Sequence, residues 1–176
     1  MLFFLFLSRL VLAAPAPLSV SPGGPALVFD LVAVNVDSAQ KVVNKGRISL
    51  TDLTGVLPSH PKRAVVLYFF NIKDGHSSLK TLDKLQQRYK SKGVQFLGIC
   101  VGTPDVASIA PVLQQNGIRF PVLHDAHHVV GSRYGITEYP MTIVVDAKGH
   151  VFAIGQPPES EIETEMVAEL DGVLAG

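Results

Sequence analysis

Two apolar segments organise the chain, the unbroken run Ala64–Phe70 and Val94–Val101. The first, AVVLYFF, is rich in β-branched and aromatic residues, as expected of a strand covered on both faces. The period then changes. Leu79, Leu82, Leu85 and Tyr89 recur at steps of three or four, while Lys80, Asp83, Lys84, Gln87 and Arg88 occupy the other side, which predicts an amphipathic helix stopped by Gly93. Ser77 or Ser78 is its expected cap, and Asp74 suits the positive end of its dipole. Val94–Val101 is a second buried strand, so strand, helix and strand predict a right-handed parallel crossover.

The flanking patterns extend this core in both directions. Upstream, apolar segments at 27–36 and 47–50 are separated by a turn-like Asn44-Lys45-Gly46 and predict a hairpin or a pair of edge strands. Downstream, Thr103-Pro104-Asp105 opens a helix that Gly117 stops. Pro111 leaves two options there: a kink, or a regular helix beginning at Ser108 with the proline in its first turn. Residues 119–123 read as extended, and Val129–Tyr134 as a short helix ending at Gly135. Residues 141–145 and 150–154 flank the turn Asp146-Ala147-Lys148-Gly149, an antiparallel hairpin closing a parallel sheet. Ser160 and Glu163 are spaced as a capping box before a helix whose stripe is Ile162, Met166, Val167 and Leu170. No internal repeat interrupts this order.

Composition narrows the picture. With 176 residues, 47% apolar and 17% charged, the chain fits one compact domain. Lys plus Arg and Asp plus Glu both number 15, so nothing favours release of counterions from a phosphate backbone, and nucleic acid is not an expected partner. The first residues, MLFFLFLSRLVLAAPAP, form an apolar block ending in small residues, as in a secretory signal. Arg9 interrupts that block and no basic residue precedes it, so a frayed apolar N-terminus on a cytosolic chain is the other reading. The block is too short for the roughly 20 apolar residues a membrane span requires. The expected organisation is a signal peptide over 1–13, a leader over 14–25 and a folded domain over 26–176, with an exported product, periplasmic or extracellular. Pro15, Pro17, Pro22 and Pro25 make the leader too stiff to join a core.

The later segments resemble a known group. Tyr139-Pro140-Met141-Thr142 and the hairpin after it resemble the place where thioredoxin-like proteins carry a cis-proline. Phe120-Pro121-Val122-Leu123 with Asp125, Tyr134-Gly135-Ile136, and the stretch from Gly46 to Leu53 are similar to corresponding parts of the redoxins: the alkyl hydroperoxide reductase and thiol-specific antioxidant family, and the exported thiol-disulfide reductases of the TlpA type. The resemblance covers residues 26–170. It implies an α/β thioredoxin-like fold, a central mixed sheet flanked by helices, here with an N-terminal hairpin extension. It also implies a Cys-x-x-Cys motif after the first buried strand.

That motif is missing its sulfur. The resemblance puts the two cysteines at Asp74 and Ser77, with Gly75 and His76 between them, and a peroxidatic cysteine near Ser77 or Ser78, with Asn71 where a proline is expected. Disulfide exchange and peroxide reduction need a thiolate, and a serine hydroxyl without an activating base does not replace it. No catalytic residue and no cofactor is therefore expected. The expected role is binding, with Asp74, Gly75, His76, Ser77, Tyr139 and Pro140 as a groove for an extended peptide or protein partner; Pro140 as a purely structural element is the alternative. Two other functions remain open. Cys100 is the lone cysteine, excluding an intramolecular disulfide; it sits mid-strand but offers the only thiol for an antioxidant or thiol-disulfide oxidoreductase, alone or with a partner thiol. His124, His127 and His128 share one face if their segment is helical, and with Asp125 they form a candidate zinc or copper site.

Overall fold

Strand β3 (Ala64–Phe70) lies at the centre of a five-stranded sheet, and all its residues are buried. The computed structural model describes residues 17–176 apart from residue 104, so the expected signal peptide 1–13 lies outside the described residues. On one side β3 pairs in parallel with β4 (Val94–Val101), which pairs in parallel with β5 (Val122–Asp125). On the other it pairs antiparallel with β6 (Met141–Asp146), which turns back into β7 (Val151–Gly155). The resulting order, β5-β4-β3-β6-β7, is the mixed sheet of a thioredoxin-like fold.

Alternation along β3 assigns its side chains to two cores. Val65, Leu67 and Phe69 face one, with Leu97, Ile99, Ile143 and Val145. Ala64, Val66, Tyr68 and Phe70 face the other, where α2 (Leu79–Tyr89), α3 (Val106–Gln115) and α5 (Ile162–Ala175) supply Leu79, Leu82, Ile109, Met166 and Leu170. Each large side chain buried this way contributes roughly 1.5–3 kcal/mol, which is why the run carries no charge.

Several expectations change in detail. The predicted N-terminal strands exist as β1 (Asp30–Val32) and β2 (Arg47–Ser49), paired antiparallel, but α1 (Val36–Val43) fills the connection between them. Asn35 anchors that helix to the segment entering β5: its Nδ2 donates to Phe120 O (2.8 Å) and its Oδ1 accepts from Val122 N (2.8 Å). From Pro17 onward the leader does not stand off the domain either. Val20 joins the first core, Ser19 N donates to Tyr134 O (3.0 Å) and Gly23 N to Val151 O (2.8 Å), so residues 23–26 run along the hairpin with backbone hydrogen bonds that proline's stiffness does not prevent. In α3, Asp105 accepts from Ala107 N (2.9 Å) as the cap, and Pro111 lies within the helix rather than in its first turn. The extended segment placed at 119–123 is strand only from Val122. The capping box at Ser160 and Glu163 does not form: α5 begins after Glu161 with no side-chain cap.

Helix α5 carries one conspicuous charge. Glu169 is partly buried, with Oε2 lacking a hydrogen-bond partner among the described residues. Burial, and then Glu165 one turn away, push its carboxyl from the ordinary 4.5 up to about 7. A folded-state pKa above the unfolded value means the folded protein holds its proton more tightly, so this group lowers stability as pH rises from about 4.5 through 7. The penalty, reduced for the site's partial exposure, is on the order of 1–2 kcal/mol. Glu169→Gln should therefore raise Tm by about 3–6 °C at pH 8 and much less at pH 5. Equal changes in thermal melts at the two pH values would contradict this assignment.

Candidate functional site at the loop after β3

Between β3 and α2 the chain makes a tight, internally bonded loop. Asn71 Oδ1 accepts from Lys73 N (2.8 Å) and Asp74 N (2.7 Å), and Asn71 N donates to Asp74 O (3.1 Å). Asparagine suits this place because its short side chain imitates a backbone carbonyl. Asp74 accepts from Asn71 Nδ2 (3.2 Å) instead of capping the helix. Gly75 follows at φ 90°, then a 3-10 turn over His76–Ser78 leads into α2, and no serine hydroxyl caps either segment. The helix starts instead through this turn, whose tighter bonds use up the first amides.

The groove residues are partly brought together. Tyr139 and Pro140 join through a cis peptide bond. A Cβ placed on Gly75 would lie 2.8 Å from Pro140 Cβ, so the loop and the proline are in direct apposition. Asp74 and Ser77 are exposed, whereas His76 is half-buried with Nδ1 lacking a partner among the described residues. Tyr68 supports the loop from below, donating from its hydroxyl to Gly75 O (2.7 Å), and burial pushes its own pKa up to about 12, so it remains a neutral donor. This role was missed in the apolar run, although Tyr68 is the one residue of β3 with a polar tip.

Tyr139 has a partner that sequence reasoning placed elsewhere. His128 Nε2 lies 2.9 Å from Tyr139 Oη and 3.1 Å from Ile136 O. A carbonyl only accepts, so Nε2 carries the proton, and the tyrosine hydroxyl keeps its own hydrogen for another acceptor. Burial raises the Tyr139 pKa to about 12, which keeps that hydrogen in place. Both residues line a cleft of about 430 Å³ with Asn71, Ile72, Lys73, Val101, Gly102 and Thr103.

The metal candidates separate. His124 belongs to β5, not to a helix, and its Nε2 lies 2.6 Å from Thr103 O, an acceptor that fixes the proton there. His127 is exposed, and His128 is turned toward Tyr139. Asp125 is buried and accepts from Val129 N (2.8 Å) and Gly131 N (2.9 Å), fastening the start of α4 (Val129–Tyr134). Among the described residues no group of three or more His, Cys, Asp or Glu is placed to hold a metal ion. Helical spacing was the wrong premise, because strand β5 extends through Asp125.

Cys100 is fully buried in β4, directly opposite Phe70 and His124 in the neighbouring strands. Burial pushes its thiol pKa to about 11, and a 3.7 Å contact with Thr103 Oγ1 offsets this only slightly. At neutral pH it is a thiol, without the thiolate that exchange chemistry requires.

Comparison with known proteins agrees with this geometry. A family model described as the AhpC/TSA family matches residues 36–154. Thiol-disulfide oxidoreductase ResA of Bacillus thuringiensis (strain Al Hakam) is 26% identical over 121 residues, covering 66% of this chain and 65% of ResA, just under two thirds of that relative's length. ResA of Geobacillus kaustophilus (strain HTA426) is 28% identical over 124 residues, covering 66% and 71%. Among solved structures, the thioredoxin domain of a thiol-disulfide oxidoreductase from Bacteroides vulgatus superposes with a TM-score of 0.66 at 16% identity, covering 85% of this chain and 98% of that one. A secreted disulfide oxidoreductase of Mycobacterium tuberculosis superposes with a TM-score of 0.60 at 18% identity, covering 80% and 95%. At such identities these two matches bear on the fold alone. No helix among the described residues is long and apolar enough to cross a membrane.

Proposed function

The chain belongs to the AhpC/TSA family, and from that premise we propose that it is an exported redoxin that has given up dithiol catalysis and works by binding an extended peptide against Tyr139 and Pro140. The observation that carries the reading is the loop itself: Asp74 and Ser77 stand exposed at the two motif positions, and the one cysteine of the chain is buried with its thiol at about 11. The docking half of the proposal draws on the apposition of Gly75 and Pro140 and on the uncommitted Tyr139 hydroxyl, which suits a peptide carbonyl as acceptor. Export draws on the apolar start of the sequence.

The rival reading is redox activity through Cys100, favoured by the thiol-disulfide oxidoreductase names of the relatives. Peroxide consumption and disulfide reduction, measured for the purified protein and for Cys100→Ala, decide between the two. Both proteins are expected to match the protein-free background. Turnover that disappears in Cys100→Ala would establish the rival. For the binding half, an extended-peptide library should yield ligands whose affinity falls at least about five-fold in Tyr139→Phe, the loss of one hydrogen bond.

A further inference from the structure

A second pocket lies at the opposite end of the sheet from the groove. Val94 and Gln95, which line it, stand opposite Ala64 and Val65 at the start of β3, about 20 Å along the strands from the loop at 71–78. Lys41 from α1, Lys62 from the segment entering β3, Lys90 at the end of α2 and Arg119 before β5 converge on its volume of about 210 Å³, and no Asp or Glu lines it. The chain as a whole has 15 cationic and 15 acidic residues, so this excess is a product of folding, not of composition.

The cations are not neutralised locally. Among the described residues Lys41, Lys62 and Lys90 form no salt bridge. Arg119 is held by buried Asp83 through Nε (2.9 Å) and Nη2 (2.6 Å), yet its side chain stays 62% exposed, leaving part of the guanidinium to the pocket. Lys41 and Lys90 sit at helix C-termini, where a cation complements the carbonyl dipole; Lys62 and Arg119 serve no helix end. Counting four cations, two helix ends at about −0.5 each and the Asp83 carboxylate leaves a charge of about +2.

Hydrogen-bonding groups on the floor have the same polarity. Buried Gln86 uses its Oε1 to accept from Gln95 Nε2 (2.9 Å) and Phe96 N (2.6 Å), whereas its own Nε2 makes one bond, to Val94 O (3.1 Å). One amide hydrogen is thus uncommitted. Ser38 Oγ accepts from Asn35 Nδ2 (3.2 Å), which leaves its hydroxyl hydrogen free as well. Gln86 and Ser38 thus each keep a donor hydrogen in reserve beside the four cations.

We propose that this pocket binds a small phosphate-type oxyanion carrying at least two negative charges, of about the size of a diphosphate. The charge matches the local excess, and tetrahedral oxygens accept from lysine, guanidinium, amide and hydroxyl donors together. The site is independent of the peptide groove, and each can fail without the other.

Titration calorimetry of the full chain with inorganic pyrophosphate, against sodium chloride of matched ionic strength, tests it. Saturable one-to-one binding is expected, weakening as salt rises. Lys41→Met and Lys90→Met should each weaken it about three-fold or more, and the double variant at least ten-fold, with circular dichroism showing the fold intact. Lys148→Met, in the turn between β6 and β7, should leave it unchanged. Absence of saturable binding, or unchanged affinity in the folded double variant, overturns the proposal.

Discussion

Placing cysteine at both positions 74 and 77 is expected to give a working dithiol reductase. Both positions are exposed, so the thiols would be accessible. They keep the three-residue spacing of a Cys-x-x-Cys motif, and a disulfide between them needs a Cα separation of roughly 4.4–6.8 Å. Position 77 lies in the 3-10 turn that leads into α2, where the positive helix end lowers a thiol pKa toward neutrality. Pro140 already faces the loop through Gly75. In a Cys100→Ala background, Asp74→Cys/Ser77→Cys should lose two hydrogens on mild oxidation, as read by mass spectrometry. Returned to its dithiol by excess dithiothreitol, it should pass two electrons to a protein disulfide, closing its own disulfide in exchange, at least about ten-fold faster than the parent under the same reductant, while either single cysteine gives no turnover. A folded double variant unable to close that disulfide would mean that the loop has lost the geometry along with the sulfur.

Gly75→Ala is expected to be the most damaging small substitution in the candidate site. Its φ of 90° is a conformation that costs a residue with a Cβ about 1–2 kcal/mol. Space is equally restrictive: the new methyl would lie 2.8 Å from Pro140 Cβ, 2.9 Å from the Tyr68 hydroxyl and 3.1 Å from Phe70 Cβ. Two of these atoms are attached directly to backbone, in the cis-proline segment and at the end of β3, so they yield little. Together the effects should lower stability by about 2–4 kcal/mol, or Tm by about 5–12 °C, and abolish peptide binding. Gly117→Ala separates the causes, because Gly117 has φ 62° and nothing within 4 Å of its Cβ position. It should cost only about 1 kcal/mol. Equal melting temperatures for the two variants would remove the steric argument and the apposition it depends on.

The elements legible in advance were those where one physical signal dominates. Ala64–Phe70 and Val94–Val101 admit no charge because both their faces are covered, and the stripe at Leu79, Leu82, Leu85 and Tyr89 repeats with the helical turn. Signals that depend on competition were misread. Helix α1 was not assigned between the two predicted strands: it is short, its start is fixed by Asn35 bonding to Phe120 and Val122 some 85 residues away, and its buried face, Ala39 and Val43, is covered only by the assembled first core. Serines spaced as caps at 77, 78 and 160 do not cap, since a 3-10 turn at 76–78 and Glu161 occupy those helix starts. The histidine cluster failed for a related reason: pairing with β4 extends β5 to Asp125, which overrides the helical spacing of 124, 127 and 128.

The loss of active-site sulfur was decided by the sequence alone, because a thiolate needs a cysteine and only Cys100 exists. So were the fold class, through its strand and helix periods, and the position of the proline loop. The tertiary structure decided what lies next to what. It buried Cys100 and so raised its thiol pKa, gave Tyr139 a partner in His128, pressed Gly75 against Pro140, and gathered Lys41, Lys62, Lys90 and Arg119 around one pocket in a chain of zero net charge. Periodicity is a local property that each segment carries by itself. Contact between distant residues, and the burial and charge that follow from it, exists only once the sheet has closed.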